Sequence, residues 1–104
     1  MNNPTPIVLT IAGSDSGGGA GIQADIKTLN TLKVFGITVI TCVTAQNTKE
    51  VLSIKKLPNT IISSQIDAVK KDFNISCIKV GMLYDKSIMN VVKKFLKRDR
   101  KSVV

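Results

Sequence analysis

The sequence predicts an α/β fold, a parallel sheet flanked by helices on both faces, and three observations carry that reading. Short, nearly uncharged runs rich in Val, Ile and Thr recur along the chain, each with the composition of a strand covered on both sides. Between them lie segments whose apolar residues fall three and four apart, the mark of a helix with one covered face. The two kinds alternate, and alternation at this length calls for right-handed crossovers between parallel strands.

Residues 7–12 (IVLTIA) form the first strand, ending at Gly13. Residues 20–33 place Ile22, Ile26, Leu29 and Leu32 on one helical stripe, with Asp25 near the start and Lys33 at the end, as a helix dipole prefers; Gly36 is expected to close this helix. Residues 38–45 (TVITCVTA) are β-branched and make a second buried strand. Residues 51–57 alternate more loosely and carry two lysines, which suits an edge or flap strand. Pro58 and Asn59 open a helix whose apolar face is Ile62, Ile66, Val69 and Phe73. Residues 75–80 give a further buried strand that stops at Gly81. Asp85 is placed to cap a helix in which Ile88, Val91, Val92, Phe95 and Leu96 define the clearest stripe of the chain. Ser102, Val103 and Val104 read as the first residues of another buried strand, so residues 1–104 are expected to be the N-terminal portion of one longer domain.

Composition narrows the function classes. With 104 residues, 43% of them hydrophobic, and no apolar run near the roughly 20 residues of a membrane span, a soluble cytoplasmic protein without a membrane partner is expected. Cys42 and Cys77 stand alone without any histidine, which excludes a Cys/His metal cluster and leaves two reduced thiols. The net charge of +8 raises the question of nucleic acid. Its densest part, Lys93, Lys94, Lys97, Arg98, Arg100 and Lys101, lies on and after one amphipathic segment with a single aromatic, Phe95, and reads as a solvated helix face; no nucleic-acid partner is expected. A mildly positive field also favours an anionic ligand such as a nucleotide.

In open α/β sheets ligands bind beyond the carboxyl ends of the strands. Three such ends stand out: residues 13–21 after the first strand, Gln46-Asn47-Thr48 after the second, and Gly81-Met82-Leu83 after the strand ending at Val80. The first holds five glycines in nine residues, more than a tight turn needs, and is expected to aim free N–H groups of the following helix at a ligand. It is not a Walker A loop, because no Gly-Lys-Ser or Gly-Lys-Thr follows. A G-x-G-x-x-A match at Gly19–Ala24 lacks the acidic residue that would hold a ribose. Gln46 carries an amide that both donates and accepts, suited to an amino-substituted heteroaromatic ring or to capping a loop. Asp25 suits either a ligand hydroxyl or the helix dipole, and Met82 either a ligand ring or the core.

The strings LTIAGSDSGGGAGIQADIK (residues 9–27), VITCVTAQNT (residues 39–48) and KVGML (residues 79–83) closely resemble the hydroxymethylpyrimidine and phosphomethylpyrimidine kinases of thiamine biosynthesis. The resemblance spans nearly the whole chain. It implies a ribokinase-like fold and phosphorylation of a pyrimidine alcohol, then of its monophosphate, with ATP and Mg²⁺. It also implies a pyrimidine pocket lined by Gly13, Asp25, Gln46 and Met82, with Gln46 bonding the aminopyrimidine and Thr44 in the wall. The family's Asp-Pro-Val-Met string and C-terminal glycine-rich anion hole are absent, so no catalytic residue is assigned within the chain and no phosphate transfer is expected from it alone. Family members are often dimeric, which makes a homodimer the expectation for a full-length parent. Two alternatives stand beside this reading: a pyridoxal or pyridoxine kinase of the same family, and a split or decayed gene product without catalysis.

Overall fold

The computed structural model describes residues 5–99 and 102–104. Its elements, in chain order, are β1 (Ile7–Asp15), α1 (Gly21–Thr31), β2 (Phe35–Gln46), β3 (Val51–Lys56), α2 (Asn59–Asp72), β4 (Cys77–Val80), α3 (Lys86–Asp99) and β5 (Ser102–Val103). The strands form one sheet in the order β3-β2-β1-β4-β5.

The α/β architecture agrees with the sequence reading, and one strand departs from it. β1 pairs in parallel with both β2 and β4, and β4 with β5, but β3 runs antiparallel to β2. The connection over residues 47–50 is a hairpin turn, too short for the crossover that a parallel neighbour requires. Asn47 builds it by accepting the N–H groups of Lys49 and Glu50 on its side-chain oxygen. The sheet is therefore mixed, with an exposed antiparallel flap at one edge. At the other edge Val104 donates to the Ile78 carbonyl at 2.7 Å and accepts from Val80 at 2.8 Å, the strand start expected at residues 102–104.

Alternation along the strands divides the two faces. Leu9, Ile11, Ile37, Val39 and Ile78 point to one side, where Ile62 and Ile66 of α2 and Ile88, Val92 and Phe95 of α3 close over them; all ten are buried. Val69, Phe73, Val91 and Leu96 flank this core and are partly buried. Asp85 caps α3 as expected, accepting the Ile88 N–H at 3.0 Å. The exposed side of α3 carries Lys93, Lys94, Lys97 and Arg98, while Arg100 and Lys101 lie outside the described residues. Among the described residues no helix is long and apolar enough to cross a membrane. Cys42 is buried and Cys77 half-buried, both as free thiols.

The opposite face belongs to α1, which has no buried residue and ends earlier than its pattern suggested. Gly36 does not close it. The helix stops through a Schellman motif in which Val34 donates to Leu29 O and Lys33 to Asn30 O, with Lys33 in the left-handed position at φ 61°. Gly36 instead lies within β2 directly beneath Ile26 and Leu29 of α1. Asp25 falls beyond the first turn and Lys33 beyond the last, so neither complements the dipole.

Candidate active site

The parallel strands β1, β2 and β4 deliver Asp15, Gln46 and Gly81 to a common rim, as the strand-end argument expects. Between them lies a cavity of about 280 Å³ bordered by Gly13, Thr44, Gln46, Lys79, Gly81 and Met82, with Val51 and Ile54 of the flap closing one side. Four of the five site residues read from the sequence, Gly13, Thr44, Gln46 and Met82, therefore meet around one space.

A register shift between Ala12 and Ser14 puts Gly13 at a bulge and carries β1 on to Asp15, three residues past its expected end. In the glycine loop that follows, the N–H groups of residues 17–20 turn inward to Asp15. Asp15, 6% exposed, accepts Gly17 N–H at 2.8 Å on Oδ1 and Gly19 and Ala20 N–H at 3.0 and 2.8 Å on Oδ2, while Gly18 N–H donates to its carbonyl at 3.0 Å. The loop ahead of α1 is thus folded around the chain's own carboxylate, and only the first N–H groups of the helix itself are left to meet the expectation. Gly21, at φ 61°, is the residue this turn requires, since a Cβ there would stand 2.3 Å from Gly13 O. Gln23 docks α1 to the rim by accepting Asp15 N–H at 2.8 Å and donating to Ser14 Oγ at 2.7 Å.

Gln46 is held at both levels. The Ser16 hydroxyl accepts its N–H at 2.7 Å and donates to its carbonyl at 2.6 Å, tying the end of β2 to the glycine loop. In the side chain, Oε1 lies 3.0 Å from Thr44 Oγ1, which also reaches Ser14 O at 2.9 Å. The amide N–H groups remain for the contents of the cavity.

Met82 is 53% exposed and stands on the cavity wall, so core filling is not its role. Its carbonyl accepts from Thr41 Oγ1 at 2.7 Å and its sulfur lies 3.6 Å from Cys42 Sγ, which anchors the loop after β4 across β1 onto β2. A Cβ at Gly13 would press on that same Cys42 sulfur at 2.8 Å.

Asp25 is the exception. Its carboxylate borders a second cavity of about 210 Å³ with Thr10, Thr28 and Leu29, and Lys79 forms part of the wall of both spaces. Thr10 Oγ1 donates to Asp25 Oδ2 at 2.6 Å, and Lys79 Nζ lies 2.9 Å from both carboxylate oxygens. Sequence reasoning missed Lys79, although a charged residue inside an otherwise apolar strand run was a visible signal. Outside the cavity, Lys56 Nζ pairs with Asp85 at 2.8 Å and joins the end of the flap to the start of α3. That hydrogen bond, aided by the Ile88 N–H, lowers the Asp85 carboxyl to about 2.

An α/β sheet with an edge flap and a small-molecule cavity on its carboxyl rim defines the class: a ribokinase-like fold. A family model for phosphomethylpyrimidine kinase matches residues 15–104. The chain belongs to that family. It is 56% identical over 89 residues to the hydroxymethylpyrimidine/phosphomethylpyrimidine kinase of Haemophilus influenzae, covering 86% of this chain and 33% of that protein. The crystal structure of phosphomethylpyrimidine kinase from Clostridium difficile superposes with a TM-score of 0.90 at 44% identity, over 93% of this chain and 42% of that one. The pyridoxal kinase from Staphylococcus aureus in complex with AMP-PCP and pyridoxal is more distant, with a TM-score of 0.85 and 28% identity over 95% of this chain and 37% of that one. The chain thus spans about a third of the length of the curated relative.

Proposed function

We propose that this chain is the substrate-binding portion of a cytoplasmic hydroxymethylpyrimidine/phosphomethylpyrimidine kinase, and that its rim cavity holds the aminopyrimidine alcohol and its monophosphate. The observation that carries this is the Gln46 amide, held by Thr44 on a backbone that Ser16 fixes, on the wall of a largely apolar cavity that Gly13 and Met82 also border. An amide with free donors matches a ring nitrogen beside an exocyclic amine, and a thioether packs well on a flat ring. Asp25 supports the pocket from the adjoining space. ATP is the phosphoryl donor of the whole enzyme, in keeping with the AMP-PCP named in the pyridoxal kinase complex.

Phosphoryl transfer rests on positioning and charge stabilisation at the γ-phosphate. The residues present do not make a Mg²⁺ site of their own: no group of three or more His, Cys, Asp or Glu gathers among the described residues. The whole kinase is a homodimer in this reading, with the Val51–Lys56 flap at the interface.

Calorimetric titration of the chain with the pyrimidine alcohol and with pyridoxal tests the reading. Binding of the first in preference to the second is expected, because a site built on hydrogen bonds to one ring discriminates strongly against another. Equal or reversed preference would move the assignment to a pyridoxal kinase, and ATP-dependent product from the chain alone would show that it contains the catalytic apparatus.

A further inference from the structure

Lys79 reaches the candidate cavity from a strand that the sequence marks as apolar. Lys79 and Gly81 are two residues apart and lie on the same side of the sheet, and the ammonium lies beside the space that a side chain at Gly81 would take. A Cβ built there would be 3.4 Å from Lys79 Nζ and 2.9 Å from the Ala12 methyl, and both residues border the cavity. An ammonium has three N–H donors and no acceptor. Two of them are directed at Asp25 Oδ1 and Oδ2, each at 2.9 Å, which leaves one. The carboxylate is itself fixed by Thr10, a fully buried residue of β1, at 2.6 Å.

We propose that Lys79 is a ligand-contacting residue, and that Asp25 and Thr10 are positioning residues that hold its ammonium at the cavity wall. This deepens the pyrimidine-site reading and rests on it. A free lysine side chain must surrender its rotamer freedom when it binds a ligand. Here folding has already ordered it through two side chains, Asp25 of α1 and behind it Thr10 of β1, so the remaining donor is preorganised. The ion pair is neutral as a unit, so it favours a neutral acceptor over a free anion. Gln46 and Lys79 stand on strands either side of β1, which lets a flat ring present one polar edge to the amide and a ring nitrogen to the ammonium.

The test is a pairing of variants with ligands in calorimetry on the chain. One ligand is the hydroxymethyl aminopyrimidine; the other is its carbocyclic counterpart, the aminobenzyl alcohol with both ring nitrogens replaced by CH. For Lys79→Met we expect about tenfold weaker binding of the pyrimidine and less than about a twofold change for the carbocycle, the selective loss that marks a direct contact. Asp25→Asn should show the same selectivity with a smaller loss. Should Lys79→Met lose its amide chemical-shift dispersion, Lys79→Arg keeps the ion pair, moves the donors, and must give the same selective loss. Equal losses on both ligands, or no loss at all, overturn the inference while leaving the cavity assignment standing. Failure of the unaltered chain to bind either ligand overturns both.

Discussion

Gln65 of α2 pairs with Ile40 of β2 as a neighbouring strand would: its Oε1 accepts the Ile40 N–H at 2.8 Å and its Nε2 donates to the Ile40 carbonyl at 2.9 Å. The β3 ladder on β2 begins at Cys42, so the carboxamide satisfies the edge residue just before the point where β3 takes over. Gln65→Ala should lower stability by about 1–3 kcal/mol, the cost of half-buried backbone groups left without partners. Urea unfolding followed by circular dichroism measures it, and a change below 0.5 kcal/mol in either direction, on the order of surface substitutions, would assign the edge to water instead.

Among the described residues two that are not glycine occupy left-handed backbone, Lys33 at φ 61° and Tyr84 at φ 81°. Lys33 closes the Schellman turn of α1, a position where glycine is the usual residue. Lys33→Gly and Tyr84→Gly should each raise stability by about 1 kcal/mol, since the Cβ strain removed outweighs the added freedom of the unfolded chain. Thermal melts of the two variants, alone and combined, give the result; a lowered midpoint for either contradicts the strain argument at that residue.

The Asp85 carboxyl is lowered to about 2 by its hydrogen bond to Lys56. Because the folded value lies below the unfolded one, the contribution is present above the ordinary carboxylate range of about 4 and is lost as pH falls through about 2. The melting temperatures of the protein and of Asp85→Asn should therefore converge between those two values. A gap that persists unchanged to the acid end would show that the ion pair is not its source.

In the cavity, Gln46→Ala should weaken pyrimidine binding by about 1–3 kcal/mol through the lost amide contacts. The fold should be unaffected, because Ser16 grips the Gln46 backbone and not its side chain. Calorimetry with the pyrimidine alcohol reads the change, and an unaltered dissociation constant removes Gln46 from the site.

The buried strands and the α3 stripe were legible because β-branched runs and apolar spacing are local signals. The direction of β3 was not taken from the sequence, although the short 47–50 connection carried it. Gly36 was misplaced as a helix stop because α1 ends with a lysine in the position glycine normally holds. The site divides in the same way. Gly13, Gln46 and Met82 follow from strand ends, which a linear pattern marks. Lys79 and Asp25 lie 54 residues apart and meet only because β4 is laid beside β1, a neighbour relation no local pattern contains. The Asp15 turn has a visible signal, a carboxylate followed closely by glycines, but the same glycines suit an open ligand loop, and only the folded backbone distinguishes the two.

That turn decides what can dock on this part of the rim. Asp15 is tethered to the very amides it satisfies, so any incoming phosphate meets a resident competitor that cannot diffuse away. Evicting it would also strand a negative charge beside the newcomer. Residues 17–20 thus form a self-satisfied turn at the cavity wall, whose amides are already spoken for when a nucleotide approaches.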